Sequence, residues 1–256
     1  MNKSLIYGTL LGDSWIYKNK RGSYTFGFSQ VNKEYAKWKA NLLGYEYRSY
    51  DITRFDKRTG KYYTNLTCHI KIPVEEKKEL YSLFYIPKKI VTKEILNQLD
   101  EEGIAMWYMD DGNMYYNGNN CHLSIAVNGF TISERMLIIN YFNKKFGLNF
   151  KISGKAIRLV SKKECEKFMK IVEEYIPESM SYKKLSSSII KHKLKPKKER
   201  KKYSGRKVVQ ILKNGEIVRW DSVSNAADYL NLDRSTIYSN LTGKSKYCKN
   251  SKFEYV

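Results

Sequence analysis

Histidine and cysteine are scarce in this chain, and what is missing narrows its chemistry. Three histidines (His69, His122, His192) and four cysteines (Cys68, Cys121, Cys165, Cys248) are scattered over 256 residues without one Cys-x-x-Cys pair. That spacing excludes a zinc ribbon or finger and argues against a disulfide framework. Without a histidine cluster, Ser-His-Asp hydrolysis and histidine-based nuclease motifs have no support. Hydrolytic chemistry would fall to carboxylates, lysines and a bound metal. No apolar run approaches the roughly 18 residues that a membrane span needs, and Met1-Asn2-Lys3-Ser4 leads into no signal-peptide pattern. No membrane partner and an intracellular setting are therefore expected.

Negative charge is also short. Forty-seven Lys+Arg stand against 26 Asp+Glu, a net charge of +21. An excess that large points to a polyanionic partner, of which nucleic acid is the commonest. The excess is localised: residues 1–182 carry +8, residues 183–207 carry +11 and residues 208–256 carry +2. The tract Lys191-His192-Lys193-Leu194-Lys195-Pro196-Lys197-Lys198-Glu199-Arg200-Lys201-Lys202 reads as a basic linker between two better-balanced modules. Lys197 and Lys198 in it are candidate phosphate contacts, because neutralising phosphates releases counterions.

The first 182 residues read the same way twice. One copy opens with the apolar helical stretch Leu5–Gly12 and ends on Asp13. Strand-like segments (14–17 and 24–29), a helix from Asn32 to Leu43, a hairpin turning at Asp56–Gly60 and a helix from Glu75 to Tyr85-Ile86-Pro87 follow. The other opens with Ile104–Asp110, ends on Asp111, and repeats the order through the helix Ser133–Phe146 to Tyr175-Ile176-Pro177. The pattern predicts an α+β fold of two pseudo-symmetric αββαββα repeats, residues 1–99 and 100–185. A linker (186–205) and a C-terminal module (206–256) complete the expected division.

Asp13 and Asp111 occupy equivalent places, each at the C-terminal end of an apolar helix. Packing the two helices together would bring both carboxylates to one end of the interface, and Gly8 and Gly12, spaced i, i+4, permit a close approach. Two such carboxylates repel one another and oppose the helix dipole. A divalent cation between them would remove both penalties, and hard oxygen ligands point to Mg2+, with Mn2+ as a substitute.

Ile6-Tyr7-Gly8-Thr9-Leu10-Leu11-Gly12-Asp13-Ser14 and Ile104-Ala105-Met106-Trp107-Tyr108-Met109-Asp110-Asp111-Gly112 resemble the two motifs of a LAGLIDADG homing endonuclease of the single-chain, double-motif type. The second departs from the small-residue pattern at Met106 and Asp110, so asymmetric helix packing is expected. The resemblance implies a monomer in which the two repeats form a saddle with its sheets in the major groove of double-stranded DNA. It implies that Asp13 and Asp111 hold Mg2+ and that both strands are cut to leave short 3′ overhangs. It further implies a basic residue near each scissile phosphate, matched here by Lys89 (Lys88 is an almost equal candidate) and Lys183. Gln30 and Asn128 are candidates for orienting water. No splicing blocks flank the motifs, which favours an intron-encoded or free-standing enzyme in a phage, bacterial or organellar host. A maturase that binds its own intron RNA and a catalytically retired DNA-binding regulator are the alternatives.

Lys18, Lys20, Arg21, Arg48, Arg54, Arg58 and Lys61 crowd the first repeat's hairpins among tyrosines, a composition suited to tracking phosphates and reading base edges. Farther on, Val208–Leu212, an Asn214-Gly215 turn and Ile217–Trp220 predict a hairpin. Ser222 or Ser224 caps a helix through Leu230, and a second helix opens at Asp233. The pair reads as a helix-turn-helix presenting Arg234, Ser235, Thr236, Tyr238 and Asn240. It resembles the NUMOD1 or intron-encoded nuclease repeat modules of homing endonucleases.

Overall fold

The structure, a computed structural model, describes residues 2–117, 120–187, 189 and 205–256. These fall into two compact units, one within residues 1–195 and one within 196–256. Lys197, Lys198 and most of the expected linker lie outside the described residues.

The larger unit realises the repeat. Helix α1 (Lys3–Leu11) is followed by β1 (Ser14–Lys18), β2 (Tyr24–Gln30), α2 (Lys33–Leu42), β3 (Tyr47–Asp56), β4 (Lys61–Ile70) and α3 (Val74–Phe84). A short helix, α4 (Lys93–Asn97), leads into the second copy. That copy comprises α5 (Glu101–Asp111), β5 (Gly112–Tyr116), β6 (Cys121–Ala126), α6 (Ile132–Phe146), β7 (Lys151–Ser153), β8 (Ala156–Leu159) and α7 (Lys162–Val172). The sheets run β1-β2-β4-β3 and β5-β6-β8-β7, the same antiparallel order twice. Short 3-10 segments after α7, Glu173–Tyr175 and Glu178–Lys183, carry the chain back toward the motif helices.

Both motif helices are buried almost all round, which explains why neither shows a polar face in sequence. They pack on one another through small residues. A methyl group on Gly8 would lie 2.0 Å from the Gly103 carbonyl oxygen, and one on Gly103 would lie 2.1 Å from the Ser4 hydroxyl. At the other end, a methyl on Gly12 would lie 2.5 Å from the Asp110 side chain. The packing is asymmetric: the space left by Gly12 is filled by Asp110, and α5 meets Gly8 and Ser4 through Gly103, one residue ahead of the motif. Trp107, Tyr108, Phe142 and Phe168 fill the second repeat's core, and Phe26, Phe28, Tyr35 and Phe84 the first.

Strand register assigns the side chains to faces. In the first sheet Ile16, Phe26, Phe28, Leu66, Cys68 and Ile70 are buried on one face. Arg48, Tyr50 and Arg54, paired with His69, Thr67 and Tyr63, lie on the other, as does Lys61 opposite Asp56. Lys18 pairs with Tyr24 on the Ile16 side, so it does not share the face of Arg48 and Arg54. Its ammonium sits 5.5 Å from the Tyr24 ring centre. Lys20 and Arg21 are exposed at the β1–β2 turn, where Asn19 accepts the Arg21 and Ser23 amides, and Arg58 is exposed at the β3–β4 turn beside Asp56.

The smaller unit is a three-stranded antiparallel sheet ordered β10 (Ile217–Trp220), β9 (Val208–Leu212), β11 (Ser251–Tyr255), with α8 (Val223–Leu230) and α9 (Arg234–Leu241). The hairpin forms as its Asn-Gly turn predicts, and Ser222 rather than Ser224 caps α8 by accepting the Asn225 amide. Ala226, Ala227 and Ile237 are buried between helices and sheet, next to Phe253 from the third strand. Arg234, Ser235, Thr236 and Tyr238 are exposed on α9. Asn240 is not available for recognition: it is buried, donates to the Ser245 carbonyl at 2.8 Å and accepts the Phe253 amide at 2.6 Å.

Candidate active site

The C-terminal ends of α1 and α5 bring Asp13 and Asp111 together, close enough that each motif carboxylate lies in a field of negative charge. The Asp111 carboxyl is pushed up to about 7 by partial burial first, then by the charges of Asp13 and Asp110, with Lys89 and Lys183 pulling the other way. The Asp13 carboxyl is raised by burial and by Asp110, offset by the hydrogen bond from Gln30 and by Lys39 and Lys183.

Lys89 and Lys183 occupy matching places. The Lys89 ammonium donates to the Gly12 and Ser14 carbonyls, both at 3.0 Å, and that of Lys183 donates to the Gly112 carbonyl at 2.9 Å and to the Met109 carbonyl. Each thus ties together carbonyls at and just beyond the end of one motif helix, where a cation also complements the helix dipole. Burial lowers both ammonium groups from the usual lysine range, against the pull of the aspartates. Lys88 is exposed beside Lys89 and makes no such contact among the described residues.

Gln30, at the end of β2, donates to Asp13 Oδ2 at 2.8 Å and to Asp110 Oδ1 at 3.2 Å. Asn128 has no matching place. Ser14 pairs with Phe28 and Gly112 with Ile125, so the position equivalent to Gln30 is the buried Val127, one residue earlier. Asn128 lies exposed beyond it, and among the described residues only its carbonyl is engaged, by Arg135 at 3.5 Å.

Sequence reasoning missed Asp110, Lys39 and Tyr35. Lys39 Nζ lies 2.6 Å from Asp110 Oδ2 with both side chains fully buried, and the Tyr35 hydroxyl donates to Asp110 Oδ1 at 2.8 Å. A lysine on a helix of alternating charge reads as solvated, and only the fold turns it inward. On the open sheet faces, the Tyr50 hydroxyl and His69 Nε2 share a hydrogen bond of 3.1 Å, and His69 meets the Trp15 ring edge-on. The second sheet places Lys151 and Arg158 at the positions of Arg48 and His69. Arg158 Nε in the second sheet and Asn65 Oδ1 in the first are buried without a hydrogen-bond partner among the described residues.

The donor set fits a hard divalent ion. The two converging carboxylates are hard oxygen ligands that raise one another's proton affinity, and among the described residues no group of three or more His, Cys, Asp or Glu forms a metal site by itself. The remaining ligands would have to come from water or from a phosphate.

The sequence pattern of the LAGLIDADG DNA endonuclease family matches residues 3–170, both repeats and both acids included. The chain belongs to that family. A second pattern, the NUMOD-like domain of DNA endonuclease I-HmuI-like proteins, matches residues 208–254. Among solved structures, the LAGLIDADG unit resembles the homing endonuclease I-WcaI bound to its DNA recognition sequence, at a TM-score of 0.62 and 26% identity over 71% of this chain and 84% of that one. The probable intron-encoded endonuclease 1 of Wickerhamomyces canadensis is 29% identical over 72% of this chain and 84% of its own length. Protein RecA of Mycolicibacterium flavescens is 27% identical over 71% of this chain, which spans only 45% of that relative. No described helix is long and apolar enough to cross a membrane.

Proposed function

We propose that this LAGLIDADG chain is a site-specific double-strand DNA endonuclease that depends on Mg2+ and leaves short 3′ overhangs. The observation that carries the reading is the symmetric convergence of Asp13 and Asp111, each flanked by a lysine (Lys89 half-buried, Lys183 buried) tied to the end of one motif helix. Asp13 and Asp111 would hold the metal, which when bound supplies Lewis-acid chemistry, activating water and offsetting charge on the scissile phosphate. Gln30 fixes the rotamer of Asp13. Lys89 and Lys183 place positive charge beside the two scissile phosphates and stabilise negative charge as it develops. The open faces bearing Arg48, Arg54, Lys61, Lys151 and Arg158 lie in the major groove, and Lys20, Arg21 and Arg58 reach phosphates from the turn tips. The smaller unit extends the contact with DNA through Arg234, Ser235, Thr236 and Tyr238 on α9. The protein acts as a monomer, because one chain supplies both halves of the site.

Incubating the full chain with a randomised plasmid library and magnesium, then sequencing the ends, tests this reading. A recurrent site cut on both strands with staggered 3′ ends is expected. Absence of any recurrent cut in magnesium or manganese would overturn it.

A further inference from the structure

The two carboxylates are supported differently. Asp110 Oδ2 accepts the Asp13 backbone amide at 3.1 Å as well as Lys39, and Gln30 bridges Asp110 Oδ1 to Asp13 Oδ2. One buried carboxylate on α5 therefore fixes both the backbone and, through Gln30, the side chain of the aspartate at the end of α1. Tyr35 and Lys39 on α2 hold that carboxylate from behind, and the Lys39 ammonium also lies 4.6 Å from the Phe28 ring centre.

None of this recurs in the other half. Motif alignment puts Gly12 at the place of Asp110, and strand register puts Val127 at the place of Gln30. Counting from the caps Asn32 and Thr131, Glu134 stands for Tyr35 and the buried Ile138 for Lys39. Glu134 is occupied elsewhere, closing a capping box with Thr131 and accepting the Val91 amide at 2.9 Å. Asp111 receives no side-chain hydrogen bond among the described residues. Asp110 is not a further metal ligand, since its carboxylate is wholly enclosed and taken up by four donors.

We propose that Asp110, Lys39 and Tyr35 form a positioning device dedicated to Asp13, so that cutting of the two DNA strands depends on it unequally. The proposal rests on the endonuclease reading above. Its reach is geometric: a carboxylate displaced by about 1 Å from its working position can cost on the order of a hundredfold in rate. Only the chemistry that depends most on Asp13 incurs that loss.

The test uses the full chain and the plasmid site recovered from the library, comparing wild type with Asp110→Asn, Lys39→Met and the double variant Lys39→Met/Asp110→Leu. The double variant guards against misfolding, because exchanging a buried ion pair for apolar groups of similar size is often tolerated where losing one partner is not. Single-turnover cleavage with strand-specific end labels should show the same strand slowed at least about tenfold in every folded variant. The other strand should change by less than about threefold, and nicked plasmid should accumulate. Hydrogen exchange supplies a readout independent of cleavage. The Asp13 amide should lose protection in the double variant, while Phe28 and Leu123 in the sheet centres keep theirs. Equal slowing of both strands, or an Asp13 amide as protected as in wild type, would overturn the proposal. Failure of the wild type to cut would sink the endonuclease reading instead, and exchange at Asp13 would still judge the positioning claim.

Discussion

Replacing Asp111 by asparagine should make the metal-free protein more stable, and by an amount that depends on pH. The native Asp111 carboxyl titrates near 7 against 3.8 for an unperturbed aspartate, so folding favours its protonated form. The native advantage of that form is fully present below about pH 4. It is lost progressively as pH rises toward 7, and the loss levels off above that value. The full shift corresponds to about 4 kcal/mol, and partial solvent access reduces this to about 2–4 kcal/mol. Asparagine cannot ionise and escapes the penalty. Thermal unfolding of Asp111→Asn and wild type between pH 4 and 8.5, in chelator, should give coincident midpoints at the acid end. Above pH 7 the variant should melt roughly 5–15 °C higher. Asp13 remains in both proteins, so the difference reports Asp111 together with its coupling to Asp13. Magnesium at pH 8 should narrow the gap by stabilising the wild type alone, as a ligand that binds only the folded site must. A difference that does not vary with pH, or a destabilised variant at pH 8, would refute the account of crowded carboxylates.

Lys89→Ala and Lys183→Ala should slow strand cleavage more than they weaken DNA binding, measured by single-turnover rates beside titrations in calcium; a pure loss of affinity would make them ordinary phosphate contacts. Gly8→Ala should destabilise the LAGLIDADG unit by about 3 kcal/mol or more in denaturant melts, because its methyl would meet backbone rather than a movable side chain. A chain ending after Ser188 keeps Lys183 and the buried Leu185 but loses the ten basic residues between 189 and 207 and all of the smaller unit. It should cut at the same phosphates with lower affinity, a shorter footprint and a shallower salt dependence of binding. A displaced cut, or an unchanged salt slope, would contradict the assigned division of labour.

The repeat was legible because both copies keep the same order of periodicities, and the acids were legible because the repeat puts them in register. Lys89 and Lys183 were expected only through the family resemblance, which implies a basic residue after the third helix of each half. The contacts that make the site asymmetric were not legible. Gly103 lies upstream of its motif and shows its purpose only when Gly8 and Ser4 are packed on it. Asn128 was one residue out because a strand's face inverts with each step, and only the pairing of Gly112 with Ile125 fixes the count. The same limit applied to Lys18, which falls on the opposite face from Arg48. Asp110 was legible only as a bulky intruder in the packing of the motif helices, and Lys39 read as a surface charge; their pairing spans elements 71 residues apart. β11 escaped notice because a third strand far from its hairpin leaves no local turn signal.

Cleavage of the library-selected site by Asp13→Asn and Asp111→Asn, measured beside their affinity for the same duplex, tests the central claim most directly. Both variants should bind with near wild-type affinity and show no double-strand cleavage in magnesium. Near wild-type cutting by either one would remove the paired aspartates from the catalytic centre.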